Sequence, residues 1–100
     1  FVQVNPAVAA LLADAVVDAA LAHAPRTLVD AYAGAGDVAL RLAGHGVRVT
    51  AIELDRDAAR WSAERLPPGS QSWAGRVEDR LAAALPADVV VVNPPRGGLH

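Results

Sequence analysis

Asp30, Glu53 and Asn93 each close a short β-prone run, respectively Thr27-Leu28-Val29-Asp30, Val47 to Ile52 and Asp88 to Val92. Ligands of an open parallel sheet bind outside the carboxyl ends of its strands, so these three polar groups would converge on one rim. After Asp30 comes the small-residue loop Ala33-Gly34-Ala35-Gly36. Gly34 and Gly36 let the backbone approach a ligand where a β-carbon would collide. The helix that follows offers free N–H groups and a positive dipole end, which suits an amino-acid carboxylate. Glu53 lies roughly 20 residues beyond the glycine turn, the separation at which an acidic residue meets ribose hydroxyls in dinucleotide folds. Strand capping and a tight turn would explain each of these residues singly. Their joint register favours a ligand site.

Gly34-Ala35-Gly36-Asp37-Val38-Ala39 also fits the nicotinamide fingerprint GxGxx(G/A), so an NAD-binding module is the rival reading. In that fingerprint the first glycine comes nearly at the strand end, whereas here Ala31-Tyr32-Ala33 intervene after Asp30. Spacing therefore favours Asp-x-x-x-Gly-x-Gly, the form of methyltransferase motif I.

The elements that would hold this rim alternate along the chain. Asn5-Pro6 reads as a helix cap and first helical residue, and Val8, Leu11, Leu12, Ala15, Val16 and Ala19 recur at helical spacing to about His23. A strand to Asp30, the glycine turn, and a helix capped by Asp37 and ending at a left-handed Gly44 follow. Val47 to Ile52 is a second strand, and Asp55 to Leu66 a charged amphipathic helix stopped by Pro67-Pro68-Gly69. A weak strand over Ser70 to Trp73, a helix over Val77 to Leu85 and the four-valine run complete the pattern. That run suits a strand buried on both faces. The expected fold class is α/β: a Rossmann-like parallel sheet with helices on both faces.

Composition agrees and excludes other classes. Of 100 residues 53% are hydrophobic, so a folded core is expected, and no apolar stretch reaches membrane-spanning length. With no cysteine there is neither a disulfide framework nor a cysteine nucleophile in these residues, and a cytoplasmic setting is favoured. The three histidines lack the spacing of a metal site, so no metal is expected. Net charge is −2 and the basic residues, all arginine, are spread singly, so the main grip on any nucleic acid lies elsewhere. Trp61 and Trp73 read as packing residues.

Three motifs in order, Phe1-Val2-Gln3-Val4-Asn5-Pro6, Asp30-Ala31-Tyr32-Ala33-Gly34-Ala35-Gly36-Asp37 and Asn93-Pro94-Pro95-Arg96-Gly97-Gly98-Leu99, give the chain its resemblance to a family. It resembles the RNA uracil-5-methyltransferases, within the class I enzymes that use S-adenosyl-L-methionine. The resemblance implies that Gln3, Tyr32, Asp37 and Glu53 contact the cofactor, Glu53 on the ribose, with Asn93 beside the methionine moiety. Gly34 and Gly36 complete motif I. Asn93 and Arg76 depart from the family pattern, which usually has Asp at both positions; at Arg76, backbone N–H near Val77 would serve the adenine. Asn-Pro-Pro also resembles amino-methyltransferases, but Arg96 stands where they place a stacking aromatic residue. Arg96 could meet an RNA phosphate or pair with a carboxylate at the rim.

The resembled family attacks carbon 6 of uracil with a cysteine thiolate, methylates carbon 5, and removes the carbon-5 proton with a base. Both groups lie beyond the Asn-Pro-Pro-Arg motif in that family. The resemblance therefore implies that residues 1–100 are a partial cofactor-binding domain, the N-terminal half of a class I methyltransferase domain, inactive alone, with rRNA or tRNA as the partner of the full protein. A half sheet would leave the apolar fourth strand as an edge open to self-association. A noncatalytic nucleotide-binding module is the reading from a different function class.

Overall fold

The computed structural model describes residues 6–92. The order is α1 (Pro6–Ala22), β1 (Thr27–Ala31), α2 (Asp37–Gly44), β2 (Arg48–Glu53), α3 (Arg56–Ala63), β3 (Gln71–Ala74), α4 (Val77–Ala84) and β4 (Val89–Val92). The four strands form one parallel sheet in the order β3-β2-β1-β4. This is the expected Rossmann-like α/β fold.

Strand alternation decides which side chains meet which helices. Leu28, Val49 and Ala51 point to one face and pack with Val17 and Ala20 of α1 and Val38, Ala39, Leu42 and Ala43 of α2. α3 shares that face, because the Ser62 hydroxyl lies 2.8 Å from the hydroxyl of Ser72, whose register partner is Ala51. Val29, Ala31 and Ile52 point the other way and are also buried. α4 lies there, against β2 and β1. Helices thus cover both faces.

The register also aligns the strand ends. Asp30 pairs with Ala51 and Val91, Ala31 with Ile52 and Val92, and Glu53 with Ala74. At the opposite ends, the Asp88 carboxylate accepts from Arg26 N at 2.8 Å and Thr27 N at 3.3 Å. These bonds hold the exposed Asp88 carboxyl below the usual carboxylate range and join the starts of β1 and β4.

Several local expectations change. Asp37 does not cap α2: Gly36 is the cap, left-handed at φ 87°, and Asp37 is the first helical residue. The cap needs a conformation that glycine adopts without strain, and this outweighs the capping preference of aspartate. Gly44 stays helical, and Gly46 instead takes the left-handed conformation, at φ 86°. α3 starts where expected, with the Asp55 carboxylate accepting from Asp57 N and Ala58 N, but its regular helix ends at Ala63. β4 is not buried on both faces: Val90 is 40% and Val92 62% exposed, because β4 is an outer strand and α4 leans on β1 and β2. In α1 the buried line is Val17 and Ala20, while Leu11 and Leu12 are exposed. An almost wholly apolar helix does not mark its inner face by periodicity. Trp61 is 45% exposed, with the Arg65 guanidinium 3.8 Å above its ring.

The two motif glycines differ in what they permit. A β-carbon on Gly36 would lie 2.7 Å from Ser62 Cβ, whereas one on Gly34 would meet nothing within 4 Å. Gly36 therefore lets α3 close against the turn, and Gly34 supplies only its φ of 60°. Gly36→Ala is expected to cost about 3 kcal/mol, from combined overpacking and left-handed strain. Gly34→Ala should cost about 1 kcal/mol. Denaturant unfolding of the two variants measures the difference.

Candidate functional site

Glu53 organises the rim. Its Oε1 accepts from Gly34 N at 2.7 Å and its Oε2 from Asp55 N at 2.8 Å. Its backbone carbonyl accepts from Gly75 N at 2.9 Å, and the carbonyl of Ile52 accepts from Ala33 N at 3.0 Å. One strand end thereby ties together the β1–α2, β2–α3 and β3–α4 turns. An ionised carboxylate has about four acceptor sites, so two remain after these backbone bonds. Vicinal hydroxyls suit them.

The β1–α2 turn is tightly coiled. Tyr32, Gly34 and Gly36 all have positive φ, at 63°, 60° and 87°. For Tyr32 this carries about 1–2 kcal/mol of strain, which the surrounding hydrogen bonds sustain. The ring is left partly exposed, with a flat face and a hydroxyl available to a ligand. β1 runs one residue further than expected, to Ala31, so only Tyr32 and Ala33 separate it from Gly34.

Beyond the turn, Asp37 opens the first turn of α2 with its side chain largely exposed, 3.9 Å from Arg41. Arg76 caps α4 without a side-chain capping bond. Its guanidinium instead binds Glu78 at 2.8 Å, a contact that raises its pKa further. Gln3 and Asn93 lie outside the described residues. Of the candidate residues, the structure joins Gly34 and Glu53 directly and puts Tyr32, Gly36 and Asp37 on the same turn. Arg76 follows the Gly75 turn bonded to Glu53. The groove between α3 and β3, lined by Arg56, Ala59, Arg60, Ala63, Ser72 and Ala74, includes none of them. Among the described residues no group of three or more His, Cys, Asp or Glu could hold a metal.

Two features lay beyond the motif reading. Gly75, at φ 149°, forms the third turn of the rim, and a glycine directly after a strand was its available signal. Asp30 is only 2% exposed, and its Oδ2 has no hydrogen-bond partner among the described residues. Burial, with a smaller contribution from Glu53, pushes its carboxyl up to about 7. A carboxylate ending a strand signals this position but not its burial.

No protein-family model matches the sequence. Individual relatives do. The chain is 36% identical over 104 residues to the 23S rRNA (uracil(747)-C(5))-methyltransferase RlmC of Vibrio vulnificus, covering 99% of this chain and 28% of that protein. It is 35% identical over 106 residues to an uncharacterized RNA methyltransferase of Listeria monocytogenes, covering 98% of this chain and 23% of that protein. The chain is a homologue of one segment of the RNA uracil-C5-methyltransferases. It spans about a quarter of the length of these curated relatives. An RNA methyltransferase from Salinibacter ruber, solved with S-adenosyl-L-homocysteine, superimposes with a TM-score of 0.64 over 89% of this chain and 58% of its own, at 20% identity. That likeness bears on the fold alone, and it agrees with the Rossmann-like class.

The buried acid of this methyltransferase homologue has a measurable consequence. Asp30 holds its proton in the fold up to about pH 7 but loses it near 3.8 when unfolded. The folded state therefore binds more protons across that window, so stability is full below it, falls as pH rises through it, and levels above it. Asp30→Asn removes this dependence. It is expected to stabilise the protein by on the order of 2–4 kcal/mol at about pH 8, with the gain vanishing near pH 4. Urea midpoints across pH measure both ends of the curve.

Proposed function

We propose that the chain is the S-adenosyl-L-methionine-binding part of an RNA methyltransferase acting on carbon 5 of uridine in rRNA or tRNA. Similarity along 99% of the chain to a named 23S rRNA uracil-C5-methyltransferase carries the reading. The residues described fit the cofactor. Glu53 keeps two acceptor sites for the ribose hydroxyls, the first turn of α2 offers N–H groups to the methionine carboxylate, and Tyr32 offers a ring face. Gly34 and Gly36 shape the turn, while Asp37, Arg76, Gln3 and Asn93 complete the proposed contact set. The bound cofactor supplies an electrophilic methyl group on a sulfonium. This chain's residues bind and orient it; the 100 residues contain no cysteine to attack the uracil ring.

An RNA partner of this kind favours a cytoplasmic setting for the full protein. Among the described residues no helix is long and apolar enough to cross a membrane. The outer position of β4, with Val90 and Val92 exposed, supports pairing between two copies of the chain along that edge. Sedimentation of the 100-residue chain is expected to show concentration-dependent dimers that Val90→Lys with Val92→Lys abolishes. A monomer at all concentrations would refute the pairing.

The cofactor reading is tested by titrating S-adenosylhomocysteine and NADH in parallel. Saturable binding of the first alone is expected, weakened about tenfold or more by Glu53→Ala, equivalent to at least about 1.4 kcal/mol. NADH binding alone would replace the methyltransferase reading with a dinucleotide-binding one.

A further inference from the structure

Arginines that are scattered along the sequence gather in space around the outer strand β3. The groove between β3 and α3 is lined by the small side chains of Ala59, Ala63 and Ala74, by Ser72, and by Arg56 and Arg60, which stand one helical turn apart. At the Ala74 end, Arg80 of α4 donates to the Ala74 carbonyl at 3.1 Å. That end adjoins the rim, because the next residue, Gly75, donates its N–H to the Glu53 carbonyl at 2.9 Å. Like charges at i, i+4 on a helix repel, so Arg56 and Arg60 call for an anion. Asp57 and Glu64 lie at ion-pair spacing from Arg60, yet none of these three arginines forms an ion pair among the described residues, whereas Arg41 and Arg76 do. Residues 1–5 and 93–100 contain no Asp or Glu that could supply one.

We infer that the α3–β3 groove is a secondary phosphate track for the RNA substrate, in which Arg56, Arg60 and Arg80 hold phosphodiester oxygens of one strand beside the rim. This rests on the RNA part of the proposed function and deepens it. Guanidinium forks match phosphate oxygens and keep their charge at any working pH. Arg80 has donors left after its bond to Ala74. The cofactor is not the occupant: S-adenosylmethionine carries no phosphate, and none of its proposed contacts lines the groove. A dinucleotide's pyrophosphate would be drawn to the glycine turn and the helix N-terminus instead. None of the lining residues is aromatic, so the groove suits contact with the backbone of a strand rather than stacking of its bases.

The test is binding of a short single-stranded oligouridylate to the 100-residue chain, followed by fluorescence anisotropy across salt concentration. Two double variants are compared: Arg56→Gln with Arg60→Gln in the groove, and Arg26→Gln with Arg48→Gln, an equal change of charge at the opposite end of the sheet. All four side chains are exposed, so both variants should keep the unfolding midpoint of the wild type. The groove variant should bind about tenfold or more weakly at low salt, and its slope of log K against log salt should flatten by about 1.4, the loss of two single-strand phosphate contacts. The control variant should leave affinity and slope nearly unchanged. RNA binding that the groove variant retains, or that both variants lose equally, would overturn the groove and leave the RNA reading standing. Polyglutamate binding as tightly as the oligonucleotide, with the same loss in the groove variant, would assign the groove to an acidic protein segment and overturn the inference. A wild-type chain that binds no RNA at low salt would overturn both.

Discussion

One carboxylate and its own strand end hold the rim in register. Glu53 receives N–H groups from the β1–α2 turn and from its own β2–α3 turn through its side chain, and one from the β3–α4 turn through its carbonyl. Parallel βα units place their turns side by side but do not fix their separation. Bonds converging on Glu53 do so, because an ionised acceptor strengthens each one and a half-buried setting weakens competition from water. The coil of Tyr32, Gly34 and Gly36 persists within that frame despite the strain at Tyr32.

Close packing enforces the same geometry from behind. Gly36 leaves room for Ser62, so α3 approaches the turn to a distance that a methyl group would forbid. The motif's second glycine thus has a reason inside the fold, independent of any ligand. Its first glycine has open space around its missing side chain and an N–H committed to Glu53. A glycine pair that looks equivalent in sequence divides into a packing position and a conformational one.

Electrostatics at the rim is asymmetric. Asp30 and Glu53 share a face, yet Glu53 accepts from backbone donors while Asp30 is buried beneath the turn with one oxygen unpartnered among the described residues. Burial, with a smaller contribution from Glu53, pushes the Asp30 carboxyl up to about 7.

The sequence by itself determined the order of elements, the parallel sheet, the glycine turn and the carboxylates at the strand ends. These are written in local signals: apolar runs of strand length, prolines and glycines at boundaries, and the Asp-x-x-x-Gly-x-Gly spacing. It did not determine which face of α1 is buried, since alanine, valine and leucine surround that helix almost evenly, nor that β4 would alternate rather than lie buried on both sides. Nor could spacing reveal that Gly36 rather than Asp37 caps α2, or that Glu53 binds the turn's own backbone. Only the tertiary structure decided these, because each depends on a neighbour distant in sequence: Ser62 against Gly36, Gly34 against Glu53, α4 over β1 and β2. The burial of Asp30 is the clearest case, since a carboxyl's charge state follows from what surrounds it in space.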